Sequence, residues 1–247
     1  MSDHETTSNH GSEPKEDITI ASDAVVNKYK VAGEIANAAL EAVLKEVKAG
    51  ASTLKLCHLG DKIIAEKTSA LFKKQKQLKK GLAWPTCISV NNIICHYSPL
   101  DSFKDIIVIK EGDMVKVETG AHIDGFPAFS AHTVVVGATK DNKVTGRKAD
   151  VMHAAYNGVQ ICLRMLKPGT SNREITKILQ KTTQAYKCVP IQNMASYNLE
   201  KDVVEGQKSI LQNPHENLQQ RLAQQAAKEE GNVGEQSKDA LFGWVLG

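Results

Sequence analysis

The sequence predicts a mixed chain of the α/β (α+β) class, an antiparallel-rich sheet with helices packed over it. Three observations predict it. Apolar residues recur at helical spacing from about residue 23 to residue 71, strand-like alternation replaces it between residues 87 and 136, and helical spacing returns after Gly146. With 247 residues, the chain is long enough for one large domain or two small ones with a sizeable core.

Ser22 is placed to cap a helix over 23–48, with Val26, Tyr29, Ile35, Ala39, Val43 and Leu44 near one face and Gly50 as its stop. Ser52 or Thr53 opens a second helix through Leu56, Leu59, Ile63 and Ala70 or Leu71, and the run Lys73–Lys80 reads as its continuation. Cys87, Ile88, Val90, Ile93 and Ile94 flank an Asn91-Asn92 turn signal. Glu111-Gly112-Asp113 turns the chain into a strand over 114–118. Gly120 and Asp124-Gly125 then break a hairpin whose return arm is 129–136. Thr145-Gly146 begins a helix over 147–166, closed by Lys167-Pro168-Gly169, and Ser171 with Glu174 forms a capping box for a helix to about Tyr186. Residues 188–191 read as a short strand. Residues 1–19 are too polar to order themselves, 20–213 carry the domain, and 214–247 read as a divergent tail, helical or poorly ordered.

Hydrophobic content of 41%, charge of 24% and a net charge of +3 are ordinary for a globular protein and do not by themselves imply a nucleic-acid partner. The five cysteines are scattered with no CxxC pair, which favours a reducing compartment over a disulfide framework. The first residues are polar and acidic, unlike a secretory signal, and no apolar run approaches the roughly 20 residues of a membrane span. A soluble, intracellular protein is expected.

Two stretches carry chemistry: ISVNNIICHYSP (88–99) and DMVKVETGAHIDGFPAFSAHTVVV (113–136). Together they resemble the first half of a methionine aminopeptidase, so the fold implied is a partial pita-bread (creatinase-like) one with a curved sheet. VNKYK with IAN near the N-terminus, FKKQKQLKKG, WPTCISVNN, HYSPL, VTGRKADV, LKPG and EGQKSILQNP, in that order, are similar to the proliferation-associated branch, the ErbB-receptor-binding and curved-DNA-binding relatives. The resemblance runs over residues 19–213 and implies that the second half of the fold is missing, as in a C-terminally truncated product.

The resemblance also implies where an enzyme's residues would stand. His96 occupies the substrate-facing histidine position. Two metal-binding aspartates, eleven positions apart, correspond to Glu118 and Phe129, and a ligand histidine corresponds to Tyr197. Phenylalanine offers a divalent ion no lone pair, and tyrosine near pKa 10 is a poor ligand at neutral pH. His96 and Glu118 are therefore read as vestigial, with no catalytic or metal residues and no cofactor expected. A residual metal-dependent aminopeptidase using Glu118 and His96 is the enzymatic alternative, and Glu118 with His122 and His132 is an alternative candidate metal site.

Lys73, Lys74, Lys76, Lys79 and Lys80 fall within eight residues, a density that neutralises phosphates with salt-dependent affinity unless it is only a solvated helix end. Lys28 and Lys30 would join that surface if the first two helices pack side by side. The resemblance implies an inactive binding protein that associates with RNA or ribosomal particles and with regulatory proteins in growth control. It would work in the cytoplasm, nucleus and nucleolus. A protein-interaction module with an incidental basic face is the other alternative.

Overall fold

The computed structural model describes residues 18–215. Two helices, α1 (Asp23–Glu46) and α2 (Thr53–Ala70), precede a three-stranded antiparallel sheet of β1 (Lys80–Val90), β2 (Met114–Ile123) and β3 (Phe126–Val135), in the order β1-β2-β3. Helices α3 (Gly146–Met165) and α4 (Asn172–Ala185) follow, then a separate two-stranded sheet of β4 (Ala195–Tyr197) and β5 (Ser209–Leu211). No helix among the described residues is long and apolar enough to cross a membrane. The tail expectations for residues 1–17 and 216–247 lie outside the described residues.

The sheet has two chemically different faces because side chains alternate along a strand. Val115, Val117, Ala121 and Ile123 of β2 are wholly buried under the helices. Between them, the Thr119 hydroxyl donates to the Ala36 carbonyl of α1 at 3.0 Å. Helix α1 crosses β2 and β3 on Ala32, Ala36 and Ala39, all fully buried, whose small side chains let the helix lie close to the strands. Helix α2 covers β1, and Gly60 makes that approach possible: a Cβ there would stand 2.3 Å from Thr86 Oγ1. Ile64, with no exposed surface, links both helices to β2. Replacing Ile64 with Ala is expected to cost about 2–5 kcal/mol in urea denaturation. Val108→Ala, at a 51% exposed position, is expected to stay within about 0.5 kcal/mol.

Residues 145–215 form a smaller layer around Cys162, Ile175, Leu179 and Ile210. Ser171 caps α4 by accepting the Arg173 amide, and Arg147 donates to the carbonyls of Tyr186 and Lys187, which pins the start of α3 to the end of α4. This layer is tied to α1 through the Tyr29 hydroxyl, which donates to the Leu199 carbonyl, and to the β2–β3 turn through the Asp202 amide, which donates to the Gly125 carbonyl.

Three expectations are corrected. Helix α2 ends at Ala70 instead of running on through Lys80: Phe72 has φ 47° and the chain turns. Phe72 and Leu78 both pack on the α1–β2 core, which six residues of helix would not allow from one face, and the lysines repel at helical spacing. Residues 188–191 are loop; the short strands lie instead at β4 and β5, each three residues long, too short to show an alternation of their own. Gly120 does not interrupt the hairpin, since β2 and β3 pair continuously from Met114–Val135 to Ile123–Phe126.

Candidate functional site

On the sheet face away from α1 and α2, Glu118 is 5% exposed yet has a negative charge to place. Its surroundings are built by two departures from regular structure. First, β1 is irregular where it passes Glu118: Trp84 lies opposite Gly120 and Cys87 opposite Glu118, so three steps on β1 match two on β2. Residues three apart on a regular strand face opposite ways, and the bulge at Pro85-Thr86 turns Trp84 and Cys87 to the same side as Glu118. Pro85 has no ladder donor to lose there. The Thr86 amide is taken up instead by Asp61 Oδ1 of α2 at 2.8 Å.

Second, the chain after β1 doubles back. Asn91 adopts φ 52°, and by residue 97 the backbone is again beside β1, where the Ile88 amide donates to the Tyr97 carbonyl at 2.8 Å. His96, itself at φ 60°, is thereby laid over Glu118. Its amide donates to Glu118 Oε2 at 2.8 Å, and its Nδ1 lies 3.3 Å from Oε1. Trp84 packs on the His96 ring, centroids 4.9 Å apart, and meets the Phe129 ring edge-on at 6.5 Å. Phe129 lies opposite Gly120, so its ring fills the space above that glycine.

Cys87 completes the group. One donor atom each of Cys87, His96 and Glu118 lies within 4.8 Å of the others. Burial, and to a smaller extent the neighbouring Glu118 charge, pushes the Cys87 thiol up to about 12. It is a protonated thiol at neutral pH, donating to the Pro85 carbonyl, and no Cys–His nucleophile is formed.

The expected positions distribute unevenly. His96, Glu118 and Phe129 gather on one face of the sheet. Tyr197 stands in β4, which is not hydrogen-bonded to the main sheet. His122 shares the face of Glu118 but lies four residues along, about 13 Å, and its Nδ1 accepts the Gly125 amide. His132 pairs with Val117 and so faces the opposite side. The Glu118–His122–His132 candidate is therefore replaced by Cys87–His96–Glu118. Sequence reading missed Cys87 and Trp84; Pro85 inside a strand-like run was the signal that the strand is bulged there.

The dinuclear metal group of the aminopeptidases does not fit these residues. At the two positions that the resemblance aligns with ligands, Phe129 packs its ring against Trp84 and Tyr197 offers only a phenol.

The lysines lie at the edge of the same sheet. Lys73, Lys74, Lys76 and Lys79 are exposed on the loop 71–79, and their ammonium groups have no hydrogen bond or ion pair among the described residues, while the Lys80 ammonium donates to the Leu71 carbonyl. The Asp124 amide donates to the Lys79 carbonyl, which ties the loop to the β2–β3 turn. There Lys28 and Lys201 both reach Asp124 Oδ2, at 2.7 and 3.5 Å, and both sit over the Phe126 ring. Lys28 is thus half-buried and paired, and Lys30 is exposed on α1.

The model of Metallopeptidase family M24 matches residues 27–228. ERBB-3 binding protein 1 of Arabidopsis thaliana is 41% identical over 198 residues, 80% of this chain and 49% of that protein. The Curved DNA-binding protein of Schizosaccharomyces pombe is 35% identical over 223 residues, 90% of this chain and 56% of that one. Among solved structures, a thermophilic Arx1 superposes with a TM-score of 0.71 at 31% identity, covering 79% of this chain and 58% of its own. The chain spans about half the length of the curated relatives it matches. With these matches and the pita-bread architecture, the chain belongs to metallopeptidase family M24, in its ErbB-3-binding and proliferation-associated branch.

Proposed function

We propose that this chain is a catalytically inactive, aminopeptidase-fold binding protein that associates with RNA or ribosomal particles and with regulatory proteins of growth control. The observation that carries this reading is Phe129. Its ring stands at a position where a dinuclear centre needs a carboxylate, packed over Gly120 and against Trp84. Without that centre there is no bridged water to attack a peptide. The exposed lysines of loop 71–79 supply the other half of the reading, a mobile-counterion surface for phosphates. One relative is named for binding ErbB-3 and another for binding curved DNA. Lys73, Lys74, Lys76, Lys79 and Lys80 make the contact, and Lys30, exposed on α1, is a further candidate. Lys28 holds Asp124 and contributes through the fold of that corner. The places of action are the cytoplasm, nucleus and nucleolus.

The test is RNA binding by the whole chain across a salt series, beside a variant with those five lysines changed to Gln. Each phosphate neutralised contributes a slope of about −0.7 to −0.9 in log K against log salt, so loss of five contacts flattens the slope by up to about 4.5. A slope equal in the two proteins would overturn the lysine mechanism. Salt-insensitive capture of a protein partner by both would favour a pure protein-interaction module.

A further inference from the structure

Beyond that reading, we propose that Cys87, His96 and Glu118 form a mononuclear transition-metal site, best suited to Zn²⁺. It is a different centre from the family's dinuclear one, sharing only the Glu118 position.

The donor set selects the ion. A thiol sulfur and an imidazole nitrogen disfavour Ca²⁺ and Mg²⁺, which take oxygen ligands, and one sulfur, one nitrogen and one carboxylate oxygen suit Zn²⁺. Bonds of 2.0–2.3 Å around a tetrahedral zinc hold donor atoms about 3.3–3.8 Å apart. His96 Nδ1 and Glu118 Oε1 are already at 3.3 Å, and all three donors lie within 4.8 Å, so closure on an ion needs shifts of about 1 Å or less at the sulfur. The other Glu118 oxygen keeps the His96 amide at 2.8 Å, which holds the carboxylate in place as the outer contacts of metal ligands do. The Trp84 ring packs on the His96 ring, centroids 4.9 Å apart, and holds that side chain over the site. The His96 side chain is 47% exposed and opens a route from solvent to two buried ligands. Charge balances as well: the Cys87 thiol gives its proton to solvent, and one dication cancels one thiolate and one carboxylate.

The experiment titrates the full metal-free chain with Co²⁺ and, separately, Zn²⁺. One equivalent of Co²⁺ is expected to bind and give a near-ultraviolet thiolate-to-metal charge-transfer band, and Zn²⁺ is expected to displace it. Cys87→Ser abolishes the band. His96→Asn, at a half-exposed position where folding is not at stake, weakens Co²⁺ affinity about tenfold or more. Cys95→Ser leaves both unchanged. Circular dichroism establishes that each variant is folded. A band that survives Cys87→Ser, a loss caused by Cys95→Ser, or no saturable binding by the wild-type chain at micromolar metal would overturn the site.

Discussion

Phe129→Asp, the substitution that returns a carboxylate to the second ligand position, is expected to destabilise the metal-free protein by roughly 2–4 kcal/mol. It is expected to produce no release of methionine from a Met-initiated peptide in Co²⁺ or Mn²⁺. Two costs add. The ring now packs over Gly120 and against Trp84, and removing a half-buried phenyl group loses that apolar contact. The new carboxylate also shares a face with Glu118, whose cross-strand partner Ala131 is two residues along β3. Like charges at that diagonal repel. Repulsion raises the folded-state pKa of the pair above its unfolded value, so this cost is present at neutral pH and disappears as pH falls below about 4. Urea denaturation with chelator at pH 7 and pH 3.5 separates the two: the difference from wild type should shrink at the lower pH and leave the packing loss. A variant as stable as wild type that also cleaves the peptide would mean that the hydrolytic apparatus survives in this chain.

How much of this was legible in the sequence depends on how local each signal is. The long helices were, because α1 and α4 repeat their apolar residues over several turns, and Ser171 caps where its spacing to Glu174 said it would. Loop 71–79 was not, because Lys73–Lys80 has helical composition and only the tertiary anchoring of Phe72 and Leu78 turns it aside. Strands β4 and β5 are defined by pairing across residues 195–211, which leaves no pattern in three residues. In the site, the positions of His96, Glu118 and Phe129 came through the family resemblance. The closure of His96 onto Glu118 depends on left-handed backbone at Asn91 and His96. The Asn91-Asn92 turn signal announced the first of these, and nothing local announced the second. Cys87 enters the site only through the register shift at Pro85-Thr86, a property of two strands together.

Gly120→Ala tests that register most directly and is expected to cost about 1–3 kcal/mol, although alanine is otherwise tolerated better than glycine in a strand. A Cβ at this position would lie 2.6 Å from Phe129 Cδ1, 2.7 Å from Cε1 and 2.9 Å from Trp84 Cβ. The two contacts differ in kind. The Phe129 ring can swing about its χ angles at the expense of its contact with Trp84, whereas Trp84 Cβ is fixed to the backbone of a bulged strand and cannot retreat without moving β1. Combining Gly120→Ala with Phe129→Ala should therefore recover only part of the loss, giving a coupling of about 1 kcal/mol in a double-mutant cycle. The remainder belongs to Trp84. Because Trp84 and Cys87 are turned to this face by one bulge, displacing Trp84 should also loosen the His96–Glu118 closure. Faster amide exchange at His96, whose N–H is held by Glu118 Oε2, would report it. Full recovery in the double variant, with His96 exchange unchanged, would show that Trp84 is not pressed on Gly120 and that the strands pair in another register.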